Sequence, residues 1–407
     1  MADLLKPRDQ KDVAAAVEWA LAGGKTLEIV GGGSKREVGR AAQWDLTLDL
    51  SELSGVTLYE PEELVLSAKA GTLLSEIEEL VASRGQELAF EPMDYGPVLG
   101  RSMGRGTLGG ALAANLSGPR RIKAGAARDH FLGVTAVSGR AEVFKSGGRV
   151  VKNVTGYDLC KLLAGSWGTL AAMTDITIKV SPRAPAEESL LVLGLEDRKA
   201  VAAMAAAVGS SADVSGAAHL PANIAARILG AAAAGSAVTA LRLEGVPPSI
   251  VERKELLGRL LRPYGVMLVI GEAGSRAVWQ AVRDATAFAA ADGENRPLWR
   301  VSTAPTLGPE VAAKIASQVE AEVFYDWAGG LVWVALPPLE DAGAALVRGA
   351  VRAAGGHATL VRATPSLRAA IDVFEPQPEA LAALTRRVKE SFDPKRVLGP
   401  GRMYAGV

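Results

Sequence analysis

Four clusters that set glycine beside hydroxyl residues constrain this chain more than any other feature: Gly31-Gly32-Gly33-Ser34-Lys35, Gly104-Arg105-Gly106-Thr107-Leu108-Gly109-Gly110, Ser117-Gly118 and Gly165-Ser166-Trp167-Gly168-Thr169. Glycine supplies 45 of 407 residues, about 11% against an ordinary ~7%. Without a Cβ the backbone comes close to a ligand and adopts positive φ, so successive N–H groups can converge on an anion. One such cluster alone reads as a tight turn; four together point to a chain that wraps a diphosphate. Two nucleotide motifs fail on spacing or context. No cluster supplies the Lys-Ser/Thr pair of a P-loop, and the string Gly104 to Gly109 matches G-x-G-x-x-G without the preceding strand that a dinucleotide fold requires.

The rest of the chain reads as an alternation of helices and strands. Val13, Val17, Ala20 and Leu21 share one helical face behind Asp9 as N-cap, Gly23-Gly24 ends that helix, and a strand over 26–30 runs into the first glycine cluster. Strands follow over 46–50, 56–59 and 64–68, then a helix capped by Thr72 that carries Leu73, Ile77, Leu80 and Val81 on one face. Further strands are expected over 134–137, 141–144, 149–151 and 174–180. Ser181-Pro182-Arg183-Ala184-Pro185 marks a boundary. Beyond it, strands over 190–195, 239–243, 266–270 and 330–335 alternate with Ala-rich helices, and a helix over 379–392 leads into a Pro- and Gly-rich tail. The fold class is α+β, with domains 1–183 and 184–375 and a C-terminal segment 376–407.

Composition removes several classes of function. Lys+Arg and Asp+Glu are 45 each, so the chain has no net field to gather nucleic acid. A single cysteine, Cys160, excludes a disulfide framework, a thiolate zinc cluster and an iron–sulfur cluster held by this chain alone. The apolar run over 228–241 is too short for a membrane span, and no secretory signal follows Asp3, Lys6 and Arg8, so a cytoplasmic location is expected.

GGGSK at 31–35, GRGTLGGALAANLSG at 104–118, GRVVKNVTGYDLCKLLAGSWGTLAAMTDITIKVSP at 148–182 and FDPKRVLGPGRM at 392–403 resemble the FAD-binding flavoproteins of the vanillyl-alcohol oxidase (PCMH-type) superfamily. With PLWRVS at 297–302 and AGGHATL at 354–360, the whole chain resembles the E-subunit family of bacterial glycolate oxidases. The resemblance implies a two-subdomain FAD domain, an α+β cap and a tail that returns to the FAD domain. It places the pyrophosphate on Gly31, Gly32, Gly33, Ser34 and Lys35. Gly106, Thr107, Leu108, Gly109, Gly110, Asn115, Ser117 and Gly118 would meet the pyrophosphate, ribityl chain and flavin. Pro92 and Met93 would lie near the flavin, Gly168, Thr169, Asp175 and Ile176 at the adenosine end, and Arg128 against the cofactor. The first glycine loop has no histidine and Cys160 reads as a small buried hydrophobe, so the FAD is expected to be non-covalent. Gly399-Pro400-Gly401 stands where many relatives have Asn-Pro-Gly, which leaves Arg402 as the flavin neighbour.

Oxidation of a small 2-hydroxy acid needs a base for the hydroxyl proton and a cation for the carboxylate. The three histidines, His130, His219 and His357, lie far apart in sequence, so no metal site is expected. His130 reads as structural and His219 as a loop residue. The catalytic candidates are His357, Arg300 and Arg402. Trp299 either faces the flavin or lies in the cap core, and Arg120, Arg121 and Lys123 either attract an acid or form a solvated face. The resemblance implies an FAD-containing subunit of a complex that oxidises glycolate or D-lactate, beside a sister flavoprotein subunit and an iron–sulfur subunit, peripheral to the inner membrane through that complex. A self-sufficient FAD oxidoreductase and a structural subunit with a degenerate flavin site are the alternatives.

Overall fold

The computed structural model describes residues 3–149, 156–233, 235–291 and 296–407. The expected strand at 149–151 therefore lies largely outside the described residues. Two sheets form before residue 180. Leu46–Asp49 lies between Asp3–Leu5 and Leu27–Val30 in a small parallel sheet. Helix Gln10–Ala22 covers it with Val13, Val17 and Ala20; Asp9 caps that helix by accepting from the N–H groups of Lys11 and Asp12 at 2.7 and 2.9 Å. The second sheet is antiparallel, in the order Val56–Glu60, Val65–Lys69, Ala171–Lys179, Phe131–Ser138, Val143–Gly147. Leu66, Ala68, Val134, Ala136, Ile176 and Ile178 line its buried side against helix Leu74–Ala82. Thr72 does not cap that helix. Its hydroxyl donates instead to Lys69 O at 2.7 Å, and Leu73 occupies the cap position. Ser181-Pro182, read as a boundary, pairs with Gln86-Glu87 as a two-residue ribbon.

The remaining sheet has eight antiparallel strands and an internal repeat that the sequence concealed. Ala186–Leu193, helix Asp197–Val208, Gly216–Leu220, Val238–Gly245, helix Pro247–Leu261 and Met267–Ile270 form one βαββαβ unit, with an extra helix, Ala222–Leu229, inserted. Leu298–Ser302, helix Gly308–Ala316, Glu322–Asp326, Leu331–Ala335, helix Ala344–Ala354 and His357–Arg362 form the second. Each unit orders its strands fourth, first, third, second, and the two meet edge to edge where His219 pairs with Tyr325. His219 is thus a fully buried strand residue, not a loop residue; its ring accepts or shares a 2.9 Å bond with Thr239 Oγ1. The short strand GAAHL carries no β-branched residue and Pro221 follows at once, so the period-2 signal was missing.

Alternation along these strands sends one set of side chains to the unit helices and the other toward the first 180 residues. Trp299, Val301, Val332, Val334, Ala358 and Leu360 face helices Gly308–Ala316 and Ala344–Ala354. Leu298, Phe324, Leu331, Trp333 and Val361 instead share a core with Val38, Met93, Tyr95, Val98, Leu99 and Leu116. Trp299 lies in the core between the eight-stranded sheet and its helices, its indole N–H donating to Ala342 O at 2.8 Å. A buried ion-pair network closes the same contact. Glu91 accepts from Arg242 at 2.8 and 3.0 Å and from the N–H of Arg120 at 2.7 Å, while Arg120 also pairs with Glu87 and Glu244. Although burial raises the Glu91 pKa, Arg242 and Arg120 hold it at about 2.

The chain ends by returning to the first two sheets. Helix Glu379–Phe392 sets Val388 and Phe392 against the antiparallel sheet, and Leu398 bridges Leu27 of the parallel one. One buried ammonium fastens this return: Lys389 Nζ donates to Thr169 O at 2.6 Å and to Leu398 O and Asp393 Oδ2 at 2.7 Å each. Asp393 in turn accepts from the N–H groups of Val397 and Leu398.

Candidate functional site

Strand Leu27–Val30 delivers Gly31-Gly32-Gly33-Ser34-Lys35 to the floor of a cleft of about 670 Å³ including its open mouth. Thr107, Gly109 and Gly110 form a second wall, Trp167 and Gly168 a third, and Arg402 from the tail a fourth. Three of the four glycine clusters therefore converge. Their glycines are required by each other as much as by any ligand. A Cβ on Gly31 would lie 2.5 Å from Thr107 Oγ1, one on Gly32 2.0 Å from Arg105 O, and one on Gly109 2.9 Å from Ala70 O. The N–H groups of Gly32, Gly33, Ser34 and Lys35 donate to no protein acceptor among the described residues. Such a run of free donors is an anion nest.

Two buried cations complete the electrostatics. Lys35 Nζ reaches Ser34 Oγ at 3.0 Å, and burial pulls its pKa down to about 8 against the attraction of Asp94. Arg402 donates from Nη2 to Lys35 O at 3.1 Å and stands 4.0 Å from Glu28, while its Nε is buried without a partner. Burial lowers its pKa to about 10, so it is cationic at neutral pH. An orphaned guanidinium N–H, a desolvated ammonium and unpaired backbone donors around one cleft fit the pyrophosphate of FAD. Ile29, Leu50, Ala70, Ala171 and Met173 also line the cleft and offer apolar surface for a ring system.

The expected site residues divide between this cleft and its surroundings. Gly31 to Lys35, Thr107, Gly109, Gly110, Gly168 and Arg402 line it. Gly106 lies just outside, its carbonyl accepting from Leu74 N–H, and Leu108 points into the core behind the antiparallel sheet. Thr169 turns its hydroxyl to Ser166 O at 2.7 Å and its carbonyl to Lys389. Asp175 and Ile176 are not at the cleft: Asp175 pairs with Lys69 at 2.5 Å and Ile176 is sheet core, whereas Ala171 and Met173 of the same strand do line it. Arg128 is also elsewhere, half exposed and 3.8 Å from Asp129, with its N–H donating to Asn115 Oδ1. Ser117 is buried and accepts from Ala127 N–H at 2.9 Å. Pro92 is buried beside Met93, and Met93 and Gly118 belong to the contact with the eight-stranded sheet, where Gly118 O accepts from the indole of Trp327 at 2.9 Å. His357 and Arg300 lie on adjacent strands of that sheet, apart from Arg402.

Sequence reasoning missed Ile29, Leu50, Ala70, Ala171 and Met173, ordinary apolar residues with no chemical signal, and the buried Lys389 within the helix it placed over 379–392.

The folded chain, with its convergent glycine loops, has a PCMH-type FAD-binding fold. Residues 2–147 match the FAD binding domain family. The fold is that of p-cresol methylhydroxylase with substrate bound, at a TM-score of 0.75 and 11% identity over 98% of this chain and 88% of that one. Over 390 residues the chain is 32% identical to glycolate oxidase subunit GlcE of Escherichia coli (strain K12), covering 96% of this chain and 95% of that protein. It is 30% identical over 148 residues to glycolate oxidase subunit GlcD of Bacillus subtilis (strain 168), 36% of this chain and 30% of that one. The chain belongs to the GlcE family of glycolate oxidase subunits and is an FAD-dependent oxidoreductase.

Proposed function

We propose that this chain is the FAD-binding subunit of a complex that oxidises glycolate or D-lactate to the 2-oxo acid and passes the electrons to an iron–sulfur partner beside a sister flavoprotein subunit. The single observation that carries the reading is end-to-end similarity to GlcE in a chain whose cleft keeps its anion donors. In this reading residues 1–183 with 376–407 form the FAD unit and 184–375 the cap, and the complex sits at the periphery of the inner membrane. No helix among the described residues is long and apolar enough to cross a membrane.

Bound FAD would supply the acceptor for a hydride. The chain's own residues bind and orient it. The free N–H groups of residues 32–35, with Lys35 and Arg402, would hold the pyrophosphate by charge-assisted bonds in a cleft where burial strengthens them. Non-covalent attachment is supported by Cys160. Its thiol is buried, its pKa is pushed up to about 12 by desolvation, and it packs in the core behind the antiparallel sheet, away from the cleft. The test is anaerobic addition of glycolate to the flavin-loaded chain, alone and assembled with its sister subunits. Bleaching of the flavin band in the assembly supports the reading; a flavin that stays oxidised with glycolate and with D-lactate in both preparations overturns it.

A further inference from the structure

The sheet face turned toward the first 180 residues meets a group of basic side chains that make no ion pair among the described residues. Arg121, from the short helix Arg121–Ala124, places its guanidinium 4.4 Å from the centre of the Trp327 ring, and Arg300, from strand Leu298–Ser302, places its own 4.9 Å from the same centre. Among the described residues neither guanidinium makes a hydrogen bond or an ion pair. Their neighbours differ: Arg120 and Arg242 form ion pairs with Glu87, Glu91 and Glu244. His357 is the third member. It pairs with Ser302, two residues along from Arg300, and so shares the sheet face of Arg300.

The carboxylates within reach are already engaged. Asp326 accepts from Trp327 N–H at 2.7 Å, and Asp129 accepts from Ala126 N–H at 2.9 Å. Burial first, then the two arginines, holds the His357 pKa below its ordinary value, and burial with Arg300 does the same to Arg121. Two like charges over one ring, with Asp326 and Tyr95 favouring charged Arg300 and Asp129 favouring charged Arg121 but no carboxylate in ion-pair contact with either guanidinium, are relieved by an anion, and two planar guanidinium forks suit a carboxylate.

Local geometry brings them together at a cost. Trp327 and Ala328 both hold positive φ, +52° and +57°, which non-glycine residues rarely adopt. Gly118, in the one glycine cluster that does not line the FAD cleft, permits the approach: a Cβ there would lie 2.6 Å from Glu91 O, and its carbonyl accepts from both the Trp327 indole and the Arg121 N–H.

We infer that Arg121, Arg300 and His357 form the carboxylate-binding site for the acid substrate, with Trp327 as its wall. The inference rests on the proposed function for its choice of carboxylate. It makes Ser117-Gly118 a device for placing Arg121 rather than part of the cofactor cradle.

The test is calorimetric titration of glycolate and of oxalate into the full chain, with and without FAD, followed in parallel by tryptophan fluorescence. Wild type is expected to bind, Arg300→Met and Arg121→Met each to weaken binding at least tenfold, and Arg300→Lys to lose less than Arg300→Met. FAD absorbance is expected to be unchanged in all three. Equal binding by wild type and both methionine variants, or no binding by wild type in either state, overturns the inference. Failure of the chain to take up FAD would sink the cofactor reading alone, because anion binding to the FAD-free chain, and its loss in Arg300→Met, still reads this site. A methionine variant that fails to fold leaves Arg300→Lys to decide: unchanged affinity there contradicts the assignment.

Discussion

Replacing Lys389 by methionine removes one charge and keeps the stem that the core packs against. In the native chain the ammonium is 1% exposed as a residue and spends its three donors on Thr169 O, Leu398 O and Asp393 Oδ2, at 2.6 to 2.7 Å. The variant leaves Asp393, 0% exposed, as a buried carboxylate that keeps the N–H groups of Val397 and Leu398 but has no counter-ion. Breaking one side of a buried pair costs about 3–5 kcal/mol. That is a large share of a stability of about 5–15 kcal/mol. The effect should reach the cofactor too. Thr169 follows Gly168 of the cleft wall, and Leu398 lies four residues before Arg402, so loosening both carbonyls loosens two walls at once. Urea unfolding followed by circular dichroism reads the first effect, and titration of FAD by flavin fluorescence quenching reads the second. Adding Asp393→Asn removes the stranded charge while the amide oxygen can still accept from one of the two N–H groups, which in the native chain bond to different carboxylate oxygens, so the double variant should recover part of the loss and deviate clearly from additivity. A loss under about 1 kcal/mol, or strict additivity of the two substitutions, would refute the argument that this ion pair fastens the tail.

Two predictions concern titration. Burial pushes the Asp326 carboxyl up to about 7, against its Trp327 N–H bond, so the native chain holds a proton there between pH 4 and 7 that the unfolded chain releases. Stability contributed at that site is therefore highest at acid pH and lost as pH rises through 7; Asp326→Asn should match wild type near pH 4 and exceed it by roughly 3–4 kcal/mol at pH 8, read as the difference between urea midpoints. Lys35, held down to about 8, loses its charge just above neutrality in the free chain, while a bound pyrophosphate favours the charged form. FAD affinity should be level from pH 6 to 7.5 and then fall by up to about tenfold per pH unit, a slope that Lys35→Met should flatten in equilibrium dialysis.

The cleft was legible in the sequence because its chemistry is carried by backbone. Glycine runs at 31–33 and 109–110 announce close approach whatever their surroundings, and the structure adds that the approach is of loop to loop as well as loop to ligand. Asp175 and Ile176, expected at the adenosine end, do not line the cleft, whereas Ala171 and Met173 of the same strand do, because along a strand the side chains that reach a cleft depend on where that strand ends relative to its neighbours, which spacing does not encode. The repeated βαββαβ architecture escaped notice for a related reason. Alanine in Gly216–Leu220 fills a position between large neighbours, so burial there comes from tertiary packing and not from β propensity. The buried Lys389 is invisible at the level of residue type, since a lone Lys in sequence is ordinarily a solvated charge.

The central claim, that these glycine loops hold FAD without a covalent bond, is tested most directly by the visible spectrum of the purified chain before and after acid precipitation, beside that of Gly32→Ala. The added Cβ would lie 2.0 Å from Arg105 O, so the loop must move away from its partner. The account predicts a flavin band in the wild-type chain after addition of FAD, release of all colour into the acid supernatant, and little or no band in the variant. Colour that stays with the precipitate would contradict non-covalent binding, and a wild-type chain that stays colourless with FAD, or a variant that binds it equally well, would contradict the cleft.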